Sequence, residues 1–302
     1  MRFFRLACIP VLSLLLIGCS TEKQDQQQPS SATQETIRVA IVGDETRNKM
    51  LAAIGSAVNA NVEENENLQS IRFLSGSKSI QIESATDESL VHHAKIASQA
   101  DIVLLADNVA DGPMPIHREH VILTRQMGVP QAMILLTNCD LVGDPELLEL
   151  VELEVRELLN NFGLPGDEAQ CVLDQERAKT SSKSRIGKGP KEIVRLLTES
   201  AARRIPIPAS EPTHLFSAEV YALARVEAPQ GAMTISTGPL SIIMGGNVVE
   251  TEVAETDGIA PGANGQLALK AKGQMRAAKG ERFLILNRDR LAGVGVVTEI
   301  RN

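Results

Sequence analysis

Residues able to do chemistry concentrate in two short stretches. The first is Gly43-Asp44-Glu45-Thr46-Arg47-Asn48-Lys49-Met50, directly after the β-rich run 37–42, IRVAIV. A strand, a glycine and then a helix is where a phosphate-cradling loop sits, with backbone N–H groups and a lysine aimed at the anion. Gly43 and Lys49 occupy two positions of the G-x-x-x-x-G-K-[ST] pattern. Asn48 stands where the second glycine would let the backbone wrap a phosphate. Met50 replaces the hydroxyl that would hold Mg²⁺, and a thioether is a poor ligand for so hard a cation. Asp44 and Glu45 add negative charge where a triphosphate would lie. An ordinary strand-to-helix turn with a surface lysine fits the same residues. The second stretch is Thr137-Asn138-Cys139-Asp140, the polar end of the apolar run 131–136.

The histidines are less specific. His92 and His93 are neighbours on a predicted helix, about 100° apart, so they do not share a ligand. A surface or packing role suits them. His117 and His120 lie three apart with Glu119 between them, a weak suggestion of a metal and an equally good structural pattern. No metal site is assigned from them.

The elements that position these residues alternate. Predicted strands cover 37–42, 102–106, 131–136 and 170–173; predicted helices cover 47–58, 88–99, 116–127, 146–161 and 189–203. A hairpin is expected from 70–74 and 79–83, and 59–69 reads as a solvated acidic loop. The run IVLLA at 102–106 suits a parallel strand covered on both faces. In 146–161, Leu147, Leu148, Val151, Leu153, Val155, Leu158 and Leu159 recur mostly at 3- and 4-residue spacings, an amphipathic helix, with Pro145 opening it and Gly163 closing it. A basic polar loop is expected over 178–188. Strand and helix in alternation predict a doubly wound α/β domain over 37–204. The stretch 205–212, IPIPASEP, is a stiff linker. From 213 helical periodicity disappears and short β runs separated by glycine-rich turns follow, an all-β unit over 213–302.

The chain has 302 residues, 43% hydrophobic and only 2% aromatic, with no Trp. That suffices for one large or two small cores built from Leu, Ile, Val, Ala and Met. Few aromatics and a net charge of −8 argue against a general nucleic-acid binder. At the N-terminus, Arg2 and Arg5 precede an apolar stretch, 6–17, too short to span a bilayer comfortably. Leu16-Ile17-Gly18-Cys19 resembles a bacterial lipobox. Residues 1–18 are therefore expected to be a lipoprotein signal peptide and Cys19 the lipidated residue; several acyl chains make a stable anchor. Residues 19–36 are polar and read as a disordered tether. The expected location is outside the cytoplasm, on the periplasmic face or the outer membrane. Cys139 and Cys171 remain, either able to pair in an oxidising compartment or buried as small apolar side chains.

Asp111-Gly112-Pro113-Met114-Pro115 and the run 120–168 closely resemble the G domain of bacterial elongation factor Tu. Residues 214–226, with Phe216, Glu219, Val220 and Tyr221, resemble the first strand of that family's C-terminal β-barrel. Residues 290–297, RLAGVGVV, resemble its closing strand, with Gly293 and Gly295 in place. The resemblance implies a GTPase-like P-loop domain followed by that barrel, with the family's middle barrel lacking. It also implies a guanine-reading N-K-x-D motif at residues 137–140. There Thr137 stands for Asn and Asn138 for Lys, and only Asp140 is retained. The family's D-x-P-G-H motif, which supplies a metal-associated Asp, a γ-phosphate-sensing Gly and a water-positioning His, falls by an ungapped count at Ile82-Glu83-Ser84-Ala85-Thr86, where none survives; a shifted register at Asp87-Glu88-Ser89-Leu90 recovers an Asp but no Gly or His. Near 172 the base-supporting S-A-L loop is replaced by Asp174-Gln175-Glu176-Arg177.

The expectation is a lipid-anchored, degenerate relative of that family, a non-catalytic binding or scaffold protein with the membrane as one partner and an unspecified protein as another. Aminoacyl-tRNA binding is not expected without the middle barrel, and no cofactor is expected. The competing reading is a divergent translation elongation factor that binds GTP and Mg²⁺ through Gly43, Lys49, Asn138 and Asp140. A surface adhesin is a third reading, by fold analogy alone.

Overall fold

The structure, a computed structural model, describes residues 35–176, 186–204, 210–254 and 256–301. The expected signal peptide, Cys19 and the tether up to residue 34 lie outside the described residues, as do 178–185 of the expected basic loop and 205–209 of the expected linker. Among the described residues no helix is long and apolar enough to cross a membrane.

Residues 35–204 build an eight-stranded mixed sheet with helices on both faces. β1 (Glu35–Gly43) leads to α1 (Thr46–Val58), and three strands follow: β2 (Glu63–Asn65), β3 (Leu68–Ser75) and β4 (Lys78–Ala85). Then come α2 (Leu90–Ala97), β5 (Ile102–Asn108), α3 (Pro115–Gln126), β6 (Gln131–Thr137), the short 3₁₀ helix η1 (Cys139–Leu141) and α4 (Pro145–Asn161). β7 (Cys171–Leu173), β8 (Gly187–Lys188) and α5 (Pro190–Glu199) complete the unit. The strand order is β2-β3-β4-β1-β5-β6-β7-β8. β1 runs parallel to β4 and β5, and β5 through β8 are mutually parallel. The β3–β4 hairpin is antiparallel, as its turn predicts.

Each strand's alternation decides which helices it meets. On β1, Ala40 and Val42 join the core beneath α2, α3 and α4, whereas Ile37, Val39 and Ile41 join the core beneath α1 and α5. The side-chain period of two is the reason. β5 is buried on both faces from Ile102 to Asp107, which is why it reads as a continuous apolar run.

The elements differ from the sequence reading at several points: β8 lies in the expected basic loop 178–188, α5 ends at Glu199 rather than at 203, and the all-β unit begins at Glu211, inside the expected linker 205–212. β1 begins at Glu35, inside the expected tether, because Glu35 and Thr36 pair with Lys78 and Ser79. The expected loop 59–69 contains β2, an exposed three-residue edge strand; so short and charged an edge carries no alternation to read. α4 buries Leu148, Val151, Val155 and Leu159 only, while Leu147, Leu150 and Leu153 are exposed. One stripe at 3- and 4-residue spacing fills the contact, and the remaining leucines fall on the other side of the helix.

Residues 211–301 form a closed antiparallel barrel. Its strands are β9 (Glu211–Ala222), β10 (Gly238–Met244), β11 (Asn247–Val253), β12 (Asn264–Ala277), β13 (Arg282–Asn287) and β14 (Arg290–Arg301). Their order around the barrel is β10-β11-β12-β9-β14-β13. Phe216 and Phe283 meet edge to face at 6.1 Å in the interior. Gly295 is required by that packing: a Cβ there would stand 2.2 Å from the Phe283 ring. α2 and α3 pack on the barrel through β11 and β13. Leu284, Leu286 and Leu291 of the barrel share a core with Val121 and Ile122 of α3.

Candidate functional site

The carboxyl ends of parallel strands are where open α/β sheets bind ligands. Here those ends carry Asp44 after β1, Asp107 and Asn108 closing β5, Thr137 and Asn138 closing β6, and Asp174 after β7.

Gly43 adopts φ +116°, and a Cβ on it would lie 2.0 Å from the Ala106 carbonyl oxygen on β5. Only glycine fits. Its N–H donates to Nδ1 of His120 at 2.9 Å. Beyond it the Asp44 side chain turns back over the start of α1. Oδ1 accepts from the Thr46 N–H at 2.8 Å and from the Thr46 hydroxyl at 2.5 Å, and Oδ2 accepts from the Asn108 N–H at 2.6 Å. The free N–H groups at a helix start form the usual anion seat. In this protein the anion is the chain's own Asp44 carboxylate, 4% exposed. Burial pushes its pKa up, but hydrogen bonds from His117, Thr46 and Asn108 outweigh that and hold it below the usual carboxylate range. It is therefore ionised in its seat.

Arg47, the next buried group, is 1% exposed. Its guanidinium donates to the carbonyls of Asp44 (2.8 Å), Ala85 (3.0 Å) and Asp87 (2.6 Å), to Gly43 O at 3.4 Å, and to the Glu88 carboxylate at 2.9 Å. It staples the turn after β1 to the connection between β4 and α2. Met50 points into the core at 3% exposure.

The four site residues taken from the sequence fall into two groups. Lys49 and Asn138 meet: Lys49 Nζ donates to Asn138 Oδ1 at 3.1 Å. Asn138, with φ 54°, also donates through Nδ2 to Asn108 Oδ1 at 3.1 Å, and Asn108 donates to Asp111 at 2.5 Å. A polar ledge thus runs from α1 across the ends of β6 and β5. Gly43 lies beneath it, engaged with β5 and His120, and Asp140 is exposed in η1 with no hydrogen bond among the described residues.

Thr137 is buried, and its hydroxyl donates to the Thr46 hydroxyl at 2.8 Å. That in turn donates to Asp44, so β6 and the start of α1 are joined through Thr46. Asp174 accepts from the backbone N–H groups of Asn138 (2.8 Å) and Cys139 (3.2 Å) and so caps η1.

Arg47, Asp107 and Asp174 were not singled out from sequence. The available signal was positional: a carboxylate or guanidinium at the end of a buried strand or the start of a buried helix. Asp107 is fully buried and neither carboxylate oxygen has a hydrogen bond. Burial raises its pKa to about 6, with the His117 ring opposing and Asp44, Glu154 and Asp111 adding to the rise.

The histidines of α2 and α3 are structural. His117 Nε2 donates to Ala106 O at 3.0 Å, and its Nδ1 accepts the Met114 N–H at 2.8 Å, tying down the start of α3. His93 and His120, both 0% exposed, lie with ring centroids 4.2 Å apart. Burial and the Arg47 charge lower the His93 pKa to about 3, and burial, His93 and Arg47 depress His120. Both rings are neutral. His120 accepts at Nδ1, so its proton sits on Nε2. His92 pairs with Asp87 at 2.9 Å near the surface. Among the described residues no three His, Cys, Asp or Glu side chains converge to hold a metal. Cys139 and Cys171 are free and buried, and burial raises both thiols.

The molecule is thus a mixed-sheet α/β domain packed on a closed six-stranded barrel, with the carboxyl-edge ligand position filled by its own side chains. No known protein-family model matches the chain.

Proposed function

We propose that this protein is a lipid-anchored, elongation factor Tu-like protein with a degraded GTP site, acting as a non-catalytic binding or scaffold protein. The observation that carries the reading is the Asp44 carboxylate seated on the Thr46 and Asn108 N–H groups. A bound triphosphate would have to displace a buried, ionised, fully hydrogen-bonded carboxylate. Met50 offers no oxygen to Mg²⁺ and is turned into the core. The residues do not fit a magnesium triphosphate, and no catalytic step is derived through one.

Two further features support the reading. In the resembled family, the connection at Ile82-Glu83-Ser84-Ala85-Thr86 answers to the γ-phosphate. Here Arg47 clamps that region through Ala85, Asp87 and Glu88, so it has no phosphate to await. Thr137 at the first N-K-x-D position bonds Thr46, and Asn138 at the second bonds Lys49 and Asn108. Only Asp140 stands free to meet a guanine.

Titration of the purified protein with a fluorescent GTP analogue and Mg²⁺ is expected to give no saturation in the micromolar range and no phosphate release. Micromolar saturation lost in Lys49→Ala would overturn the reading in favour of a divergent GTP-binding factor. The lipid anchor is tested separately. Cys19→Ser should move the protein from the membrane fraction to the soluble fraction; an unchanged membrane pool removes the lipobox assignment.

A further inference from the structure

A cavity lies away from the carboxyl edge, where the start of α3 meets the barrel. It has a volume of about 240 Å³ and is walled by Met114, Pro115, Ile116 and Pro229, with Glu119 and Arg290 on its lining. This is below the roughly 300–1,000 Å³ of pockets that hold drug-sized ligands, so it suits something the size of one amino acid rather than a nucleotide.

Glu119 marks the cavity as built for a ligand. It lies on the side of α3 that meets the barrel, whereas His117 and His120 face the sheet. It is only 9% exposed. Among the described residues no hydrogen bond or ion pair reaches its carboxylate. Burial raises its pKa, and the charge of Arg290 opposes the rise without closing an ion pair. A carboxylate so largely removed from water and without a partner is disfavoured in its ionised form. It is retained in a pocket whose other polar lining residues are Gln230 and Arg290.

The walls are pre-formed. Met114 is held by its N–H on His117 Nδ1 at 2.8 Å. The loop carrying Pro229 is braced by Glu227, which accepts from the Tyr221 hydroxyl and the Ala224 N–H, each at 2.7 Å. Arg118 donates to Val226 O, and Asn287 donates to Gly231 O at 3.2 Å. The pocket therefore does not have to be ordered by what enters it.

We propose that this cavity binds an apolar amino-acid unit bearing a free α-ammonium group. The ammonium meets the Glu119 carboxylate, the side chain lies against Met114, Ile116 and Pro229, and the carboxylate or carbonyl at the mouth meets Arg290, which is exposed. A cation alone would be repelled by Arg290, and an anion alone would leave Glu119 unpaired. The zwitterionic or N-terminal arrangement satisfies both. Two sources share this chemistry, a free apolar amino acid and the N-terminal residue of a peptide.

The test is calorimetric titration of the full chain in detergent with leucine, leucinamide, N-acetyl-leucine and the peptide Leu-Gly-Gly. Leucine or Leu-Gly-Gly should saturate, and N-acetyl-leucine should bind at least about tenfold more weakly than leucine. Tighter leucine identifies the free amino acid, and tighter Leu-Gly-Gly identifies a peptide N-terminus. Glu119→Gln should weaken leucine by at least about tenfold while the protein stays folded, because it removes only a buried charge. Arg290→Ala should weaken leucine but leave leucinamide unchanged. Equal affinity for leucine and N-acetyl-leucine overturns the proposal, as does the absence of saturation by every ligand up to about 10 mM. The ligand comparison on the unaltered protein decides the matter even if a variant does not fold. None of these readouts involves nucleotide, so the proposal stands or falls apart from the GTP titration.

Discussion

Replacing Arg47 with methionine is expected to destabilise the protein by about 3–5 kcal/mol, the cost of stripping a buried charge from its partners. Methionine keeps much of the stem and removes the guanidinium. The carbonyls of Asp44 and Ala85 then lose their donor at a buried position, and Asp87 and the half-exposed Glu88 lose theirs nearer the surface. Arg47→Lys should recover only part of this, since an ammonium has three donors and no planar fork to span acceptors on two loops. Urea unfolding measures it: the midpoint should fall with the slope nearly unchanged. A midpoint equal to that of the unaltered protein would show that the staple contributes nothing. Hydrogen exchange in the connection between β4 and α2 should rise in the same variant, because that connection is held by Arg47 rather than by a strand.

Asp107→Asn is expected to act in the opposite direction, stabilising the protein by about 1–3 kcal/mol at pH 7.5. The sign follows from the pKa. In the folded chain burial raises Asp107 to about 6, whereas in the unfolded chain it returns to roughly 4. The unfolded state therefore loses the proton first, and stability falls as pH rises from about 4 to about 6. Above that the full penalty is present; below about 4 it is absent. Asparagine removes the charge but also gives up its attraction to the His117 ring, 3.5 Å from the carboxylate, which keeps the gain under the full shift. Unfolding of both proteins across pH 4 to 8 should give two curves that separate as pH rises and converge toward acid. Parallel curves would mean that Asp107 meets a donor in solution.

How much of this was legible in the amino-acid sequence differs between the frame and the site. Ile102 to Ala106 reads as a buried parallel strand because both its faces are apolar. Pro145 and the stripe through Val151, Val155 and Leu159 mark α4 because a helix repeats every 3.6 residues. Gly295 stands in a stretch read as the barrel's closing strand, and it is in close contact with the Phe283 ring. Such features are local or periodic, and the sequence carries them in full. The unequal fate of the α4 leucines is different, since the number that find a partner depends on the width of the sheet beneath.

The site belongs to the other kind. Asp44 in the sequence adds negative charge to a loop; only in the fold does it become the anion that fills the loop, because Asn108, 64 residues away, brings its N–H to the same carboxylate. Arg47 looks like a helix surface residue until β4 and α2 close over it. Lys49 and Asn138 stand 89 residues apart in the chain and meet only in the fold. Glu119 is one more charge on a helix until the barrel roofs it. The sequence by itself determined most of the strands and helices, an all-β unit after residue 213 and the missing oxygen at Met50, since propensity, period and ligand chemistry reside in single residues and their neighbours; closure of that unit into a barrel is a property of the fold. Tertiary structure alone decided which charges are buried, which are paired and which are left waiting, because desolvation and hydrogen bonding depend on what arrives from elsewhere in the chain.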